Sequence, residues 1–241
     1  MAMPDLRLEI ASRIKNHVRT SQLRRIYRRY GRLTMIPENV YVDNLRLAEA
    51  VQNVAGCVVE CGTWRGGMMA GLADVLGPSR AYFLFDSFEG LPPAAEVDGP
   101  AALSWQANVQ GPHYYNNCTA SEEEARNAMR ASRAREYTLV RGWFKDTIPR
   151  FQPPDPIALL RLDGDWYDST RICLTNLYPY LAPSGVIIVD DYEMWDGCAR
   201  AVHEWLLDHP ALRLKHFNGQ VCFIRKPADE PAGRRTVTRR E

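Results

Sequence analysis

The chain's 241 residues, 46% of them hydrophobic and with a formal net charge of +1, suit one globular α/β domain with a substantial core and leave no room for two full domains plus linkers. No run approaches the roughly 20 apolar residues that cross a bilayer, and the first residues lack an apolar core with a cleavage site. No membrane association is expected, and the cytoplasm is the expected location. The cysteines Cys57, Cys61, Cys118, Cys173, Cys198 and Cys222 contain no CxxC pair and fall mostly inside predicted strands and helices, as buried free thiols do.

Charge is uneven along the chain. Arg7, Arg13, Lys15, Arg19, Arg24, Arg25, Arg28, Arg29 and Arg32 crowd the first 32 residues against only Asp5 and Glu9, so the remainder is net acidic. A basic arm can bind nucleic acid. Here Leu6, Ile10, Ile14, Leu23, Ile26, Tyr27 and Tyr30 recur near helical spacing, which favours an amphipathic helix used as a cap or as a contact between two copies of the chain. No nucleic-acid partner is expected, and a homodimer is. Pro37 then marks a turn, and 40–54 reads as a helix leading into a sheet.

From Cys57 the pattern becomes an alternation of apolar strands and helical segments. Strands are predicted at 57–61, 81–86, 137–140, 157–163 and 186–190, with helices at 64–76, 168–181 and 195–208. Gly77 and Pro78 stop the first of these helices. A polar, Pro- and Gly-rich stretch from Leu91 to Thr119 has the length of a lid or binding loop. A further helix begins after it, signed by Ser121 with Glu124 as a capping box. Asn218-Gly219 between LRLKHF and QVCFIR predicts a terminal hairpin. The expected divisions are 1–54, a helical arm and lid; 55–226, a Rossmann-like domain; and 227–241, a disordered polar tail.

The first strand runs into VVECGTWRGGMMAGL, where Glu60 precedes Gly62, Gly66 and Gly67 ahead of a helix. Such glycines let the backbone approach a ligand closely; they also serve an ordinary tight turn, or a dinucleotide site. The third glycine of GxGxxG is missing, and a carboxylate at Glu60 repels pyrophosphate while attracting the ammonium and sulfonium of S-adenosylmethionine. Asp86 ends the second strand, placed to accept ribose hydroxyls, or to cap a turn.

The fourth strand ends in Asp163-Gly164-Asp165-Trp166-Tyr167 and the fifth in Asp190-Asp191-Tyr192. Neighbouring parallel strands lie about 4.8 Å apart, so Asp163, Asp190 and Asp191 come within reach of one ion. Carboxylates gathered so closely require a counter-ion, and an all-oxygen set suits magnesium before calcium or manganese. A single such pair reads equally well as a helix cap, the role Asp168 and Ser169 can also fill. Two pairs, each ending a strand, point to metal.

Thr34-Met35, VVECGTWRGG, DSFEGLP, GWFKDTIP, LLRLDGDWYDST with LTNLYPYLAPSG, and VDDY together resemble the macrocin O-methyltransferase family, the mycinamicin- and novobiocin-type sugar O-methyltransferases. The resemblance runs from Thr34 to the terminal hairpin. It implies a Rossmann-like class I methyltransferase fold, with a mostly parallel seven-stranded sheet, a C-terminal antiparallel hairpin and an N-terminal helical cap. It also implies S-adenosylmethionine held by Thr34, Met35, Glu60, Gly62, Thr63, Arg65, Gly66, Asp86 and Ser87, with Gly142, Trp143 and Phe144 near the adenine. Magnesium would sit on Asp163, Asp190 and Asp191, with Asp163 or Asp165 as general base. The implied acceptor is a hydroxyl of a sugar on a natural product, with a catechol-like diol as the alternative. Asp168 stands where the family usually has Glu, and 97–117 aligns with nothing, so that loop is where acceptor choice is expected. Trp143, Trp166, Tyr167 and Tyr192 border the expected site as stacking or core aromatics; His113 is read as a loop residue, and His203 as structural.

Overall fold

A computed structural model describes residues 6–233, with side chains from residue 16 onward. Its centre is one seven-stranded sheet in the order β3-β2-β1-β4-β5-β7-β6. The strands are β1 (Cys57–Cys61), β2 (Ala81–Asp86), β3 (Glu136–Arg141), β4 (Ile157–Leu162), β5 (Leu181–Val189), β6 (Leu214–Phe217) and β7 (Val221–Arg225). The first five are parallel, and β7 runs antiparallel to both β5 and β6. β1 and β4 are buried along their whole length, as parallel strands covered on both faces must be.

Helices cover the two faces. On one side α1 (Leu6–Tyr30), α2 (Glu38–Glu49), α3 (Gly67–Leu76) and α6 (Glu122–Ala131) bring Leu23, Tyr41, Leu45, Met69, Leu72 and Met129 onto Val58, Leu84, Leu159 and Ile188. On the other, beyond the single turn α7 (Phe144–Thr147), α8 (Tyr167–Leu177) and α9 (Asp196–Leu207) seat Leu174, Leu177, Val202 and Trp205 on Val59, Leu160 and Ile187. Alternate residues along each strand feed the two cores, as a period of two dictates.

The later part of the basic arm is a helical cap, and Arg19, Arg24 and Arg29 are engaged within the chain. Arg19 pairs with Glu49, Arg29 lies 3.5 Å from Asp74, and Tyr30 donates to Asp74 at 3.1 Å. The side chains of Leu6, Ile10 and Ile14 lie outside the described residues. The hairpin forms at Asn218-Gly219, both at positive φ (50° and 75°), and Asn218 donates to Asp43 on α2 at 2.8 Å.

Several boundaries differ from those read in the sequence, for local reasons. The helix expected from Trp64 begins at Gly67, because Trp64 (φ 47°) and Gly66 (φ 78°) are left-handed. The helix expected to reach Leu181 ends at Leu177 in a tight turn containing Pro179, and β5 starts there, at Leu181. The stretch 91–119 is folded: it contains α4 (Gly99–Ala107) and the single turn α5 (Tyr115–Cys118). Gln106 stitches it together, donating to the Pro92 carbonyl and to Asn117 Oδ1, each at 3.0 Å. The capping box of Ser121 and Glu124 opens α6 as read. Residues 227–233, expected to be disordered, turn back on the body, where Tyr178 donates to Glu230 at 2.7 Å and Gly233 N to the Pro179 carbonyl. Residues 234–241 lie outside the described residues.

Leu174 is fully buried between α8 and the sheet. Leu174→Ala is expected to lower the unfolding free energy by about 2–5 kcal/mol, measured by urea denaturation of both proteins.

Candidate active site

Sheet register creates the site. Glu60 on β1 is directly opposite Arg161 on β4, and Arg161 is opposite Ile188 on β5. The Arg161 side chain is fully buried and reaches along the sheet to where those strands end. Its Nη1 donates to Glu60 Oε1 at 3.1 Å and to Asp163 Oδ2 at 2.7 Å; Nη2 lies 2.8 Å from Asp190 Oδ1, and Nε donates to Asn44 on α2 at 3.3 Å. Thr63 donates its hydroxyl to the other Glu60 oxygen. One guanidinium therefore joins the acid of the glycine loop to the acids after β4 and β5.

The aspartates expected to share an ion do converge. Ligand oxygens of Asp163, Asp190 and Asp191 all lie within 4.8 Å of one another. Asp165, held at φ 58°, gives its backbone N–H to Asp191 Oδ2 at 2.9 Å and accepts the Trp195 indole N–H at 2.9 Å. Burial, opposed by Arg161, pushes the Asp163 carboxyl up to about 6 and Glu60 up to about 7. Burial and the Asp163 charge push Asp165 up to about 8, and burial with Asp165 raises Asp191 as well.

These groups form one wall of a cleft of about 580 Å³. Thr34, Met35, Glu60, Gly62, Thr63 and Trp64 line one part of it; Trp105, His113, Tyr115, Cys118, Met194 and Trp195 line another. A smaller cavity next to it is lined by Gly62, Asp86, Ser87, Trp143, Phe144 and Asp163. Gly62 sits between the two at φ +91°, and a Cβ there would lie 1.6 Å from the Asp163 carbonyl oxygen. Only glycine lets these two loops approach so closely.

Other expected ligand residues also make contacts within the scaffold. Arg65 is off the cleft, stacked over Trp64 at 4.3 Å with its Nε 3.4 Å from Glu124, and Gly66 backs onto Ala125 of α6. Asp86 lines the smaller cavity, but its carboxylate accepts the backbone N–H groups of Thr63, Trp64 and Phe88 at 2.7–2.9 Å, so it ties the glycine loop to β2. Ser87 closes the next turn by donating to the Gly90 carbonyl at 2.8 Å, and Gly142 turns the chain at φ +136°, its N–H bonded to the Asp86 carbonyl. Tyr167 is engaged with Glu204, and Tyr192 with His203.

Sequence reasoning missed two features. Arg161 carried a signal, a lone cation inside the apolar run IALLRL. The other is a cluster in which Trp105, Trp166 and Trp195 pack edge to face with centroids 5.2–6.1 Å apart. It joins α4 to both acidic loops, helped by Trp166 donating to the Pro92 carbonyl at 2.9 Å and by buried Asp98 accepting Tyr167 N at 2.7 Å.

A parallel sheet closed by an antiparallel hairpin, with a glycine loop after β1 and acids after β4 and β5, defines a class I O-methyltransferase fold. The O-methyltransferase NovP has this architecture at a TM-score of 0.69 and 32% identity, over 81% of this chain and 82% of that one. Within the class the chain belongs to the macrocin-O-methyltransferase (TylF) family, matched over residues 27–219. It is 41% identical over 160 residues to demethyldecarbamoylnovobiocin O-methyltransferase of Streptomyces niveus, covering 64% of this chain and 59% of that protein. It is 36% identical over 161 residues to mycinamicin III 3''-O-methyltransferase of Micromonospora griseorubida, covering 63% and 61%. The chain thus spans about three fifths of the length of these relatives.

Replacing Arg161 with Met leaves Glu60, Asp163 and Asp190 without their shared cation. The variant is expected to lose about 3–5 kcal/mol of stability, checked by urea unfolding at pH 7.

Proposed function

We propose that this chain is a magnesium-assisted, S-adenosylmethionine-dependent O-methyltransferase that acts on a sugar hydroxyl of a glycosylated natural product. The observation that carries the reading is the meeting of Asp163, Asp190 and Asp191 in the same cleft as the glycine loop. An oxygen-only donor set of this kind fits a hard divalent ion. The cleft beside Glu60 and Gly62, continued past Gly62 to Trp143 and Phe144, fits a cofactor with a cationic amino-acid end and a flat base. Family membership and the named relatives support methyl transfer to a sugar oxygen.

The bound ion would supply Lewis-acid polarisation of an acceptor hydroxyl, and the cofactor its sulfonium methyl group. The chain's residues do the rest. Asp163, Asp190 and Asp191 hold the ion. Asp165 takes the hydroxyl proton: one Asp163 oxygen is committed to Arg161, whereas Asp165 receives only the Trp195 indole on its side chain and keeps an oxygen free toward the cleft. The tryptophan cluster flanks the acids, with Trp195 donating its indole N–H to Asp165.

Cleft chemistry also favours a glycoside over a nucleotide-activated sugar. Arg161 is the sole Arg or Lys among the lining residues, and its nitrogens are engaged by Glu60, Asp163, Asp190 and Asn44, so a diphosphate would find no free side-chain cation there. Met35, Tyr115 and Met194, exposed by 41, 45 and 67%, offer apolar contact to an aglycone at the same cleft.

Asp165→Asn is expected to lower kcat by roughly 10²–10⁴-fold with cofactor affinity retained in calorimetry. Asp191→Ala should abolish magnesium-dependent transfer of labelled methyl to a glycoside panel while cofactor binding persists. Full activity in excess chelator would remove the metal from the proposal.

A further inference from the structure

We infer that the outer lip of the cleft carries a second cation site, formed by Glu193, His216 and Cys222 and suited to a borderline-soft divalent ion such as zinc. The backbone builds it. His216 on β6 and Cys222 on β7 are direct cross-strand partners, so their side chains share one face of the hairpin. Cys222 is in turn paired with Val189, the last residue of β5. The chain then passes through Asp190 into the tight turn Asp191–Glu193, which brings Glu193 over that same face.

Glu193 Oε1 lies 2.7 Å from His216 Nε2 and 3.9 Å from Cys222 Sγ, and one donor atom from each residue falls within 4.8 Å of the others. Zinc bonds of about 2.0–2.3 Å place tetrahedral ligands roughly 3.3–3.8 Å apart, so small side-chain rotations close the set. Glu193 and His216 are exposed and Cys222 is buried, which leaves an open side for entry and for a water as fourth ligand. The Tyr192 ring lies edge-on to His216, 6.3 Å between centroids, and is itself tied to His203 by a 2.6 Å hydrogen bond, so His216 has a fixed neighbour.

Donor chemistry separates this site from the aspartate triad. Thiolate and imidazole select zinc, cobalt or nickel, whereas carboxylates alone suit magnesium. On binding, the Cys222 S–H bond breaks, its proton passes to solvent, and a sulfur–metal bond forms without change of oxidation state. The occupied site braces the turn bearing Asp190 and Asp191 against the hairpin.

The test uses the full chain in excess magnesium, so that oxygen-only sites are filled, titrated with cobalt(II) as a spectroscopic stand-in. One equivalent should produce a thiolate-to-cobalt charge-transfer band that zinc abolishes. Cys222→Ser should lose the band, Cys118→Ser should keep it, and His216→Ala, an exposed change that spares the core, should weaken cobalt binding. No sulfur–cobalt band in the unsubstituted protein, or a band undiminished in Cys222→Ser, overturns the assignment. So does unchanged affinity in His216→Ala, which keeps the test decisive if the buried Cys222 substitution impairs folding.

Discussion

A guanidinium held in the interior of a parallel sheet, with Glu60, Asp163 and Asp190 around it, sets the terms for everything else at the carboxyl edge. At an effective dielectric near 20, two like charges 4 Å apart repel by about 4 kcal/mol, so the acids could not gather there unaided. Arg161 makes the gathering possible without completing it. Asp165 and Asp191 remain beyond its hydrogen bonds, and burial with their neighbours' charge raises both carboxyl groups. A site left so short of positive charge favours cationic occupants, a demand that the proposed dication and sulfonium would answer.

The fold supplies the convergence through register. β1 and β4 pair so that Glu60 meets Arg161, while Asp163 N is fastened to the Cys61 carbonyl and Asp190 N to the Leu162 carbonyl. The acids are therefore positioned by main-chain hydrogen bonds as well as by their own side chains. Gly62 permits the loop after β1 to touch the loop after β4, and Asp86 accepts the amides of that first loop on Oδ2 and the Phe88 amide on Oδ1. Over this frame the tryptophan cluster carries α4, so the segment that bears Trp105 and leads on to Tyr115 is joined to the acids it faces.

Much of this was legible in the sequence because the signals were local. Strand periodicity, the terminal Asn-Gly, the capping box and carboxylates at successive strand ends each follow from a few neighbouring residues. The rest depended on distant partners. Arg161 read as one more strand position because its meaning lies in Glu60, Asp190 and Asn44, brought together by pairing. Asp86 was read as a ribose acceptor or a turn cap; in the folded chain its carboxylate also meets the N–H groups of Thr63 and Trp64, partners that the left-handed turn at Trp64 aims at it. The 91–119 stretch lacked periodicity because side chains such as Gln106, Asn117 and Asp98 do the work that strand pairing does elsewhere.

The turn after β5 shows how a short segment can face two environments. Asp190 and Asp191 point into the oxygen-rich cluster, where Arg161 and the backbone of Asp165 receive them. Two residues on, Glu193 reaches the hairpin and meets nitrogen and sulfur donors. A tight turn rotates successive side chains enough for this, and the antiparallel β7 is what puts His216 and Cys222 on the far side. The hairpin that closes the sheet therefore also sets the chemistry of the cleft's outer edge, because a parallel strand in its place would need a crossover connection and could not lay its neighbour's imidazole directly across from its own thiol.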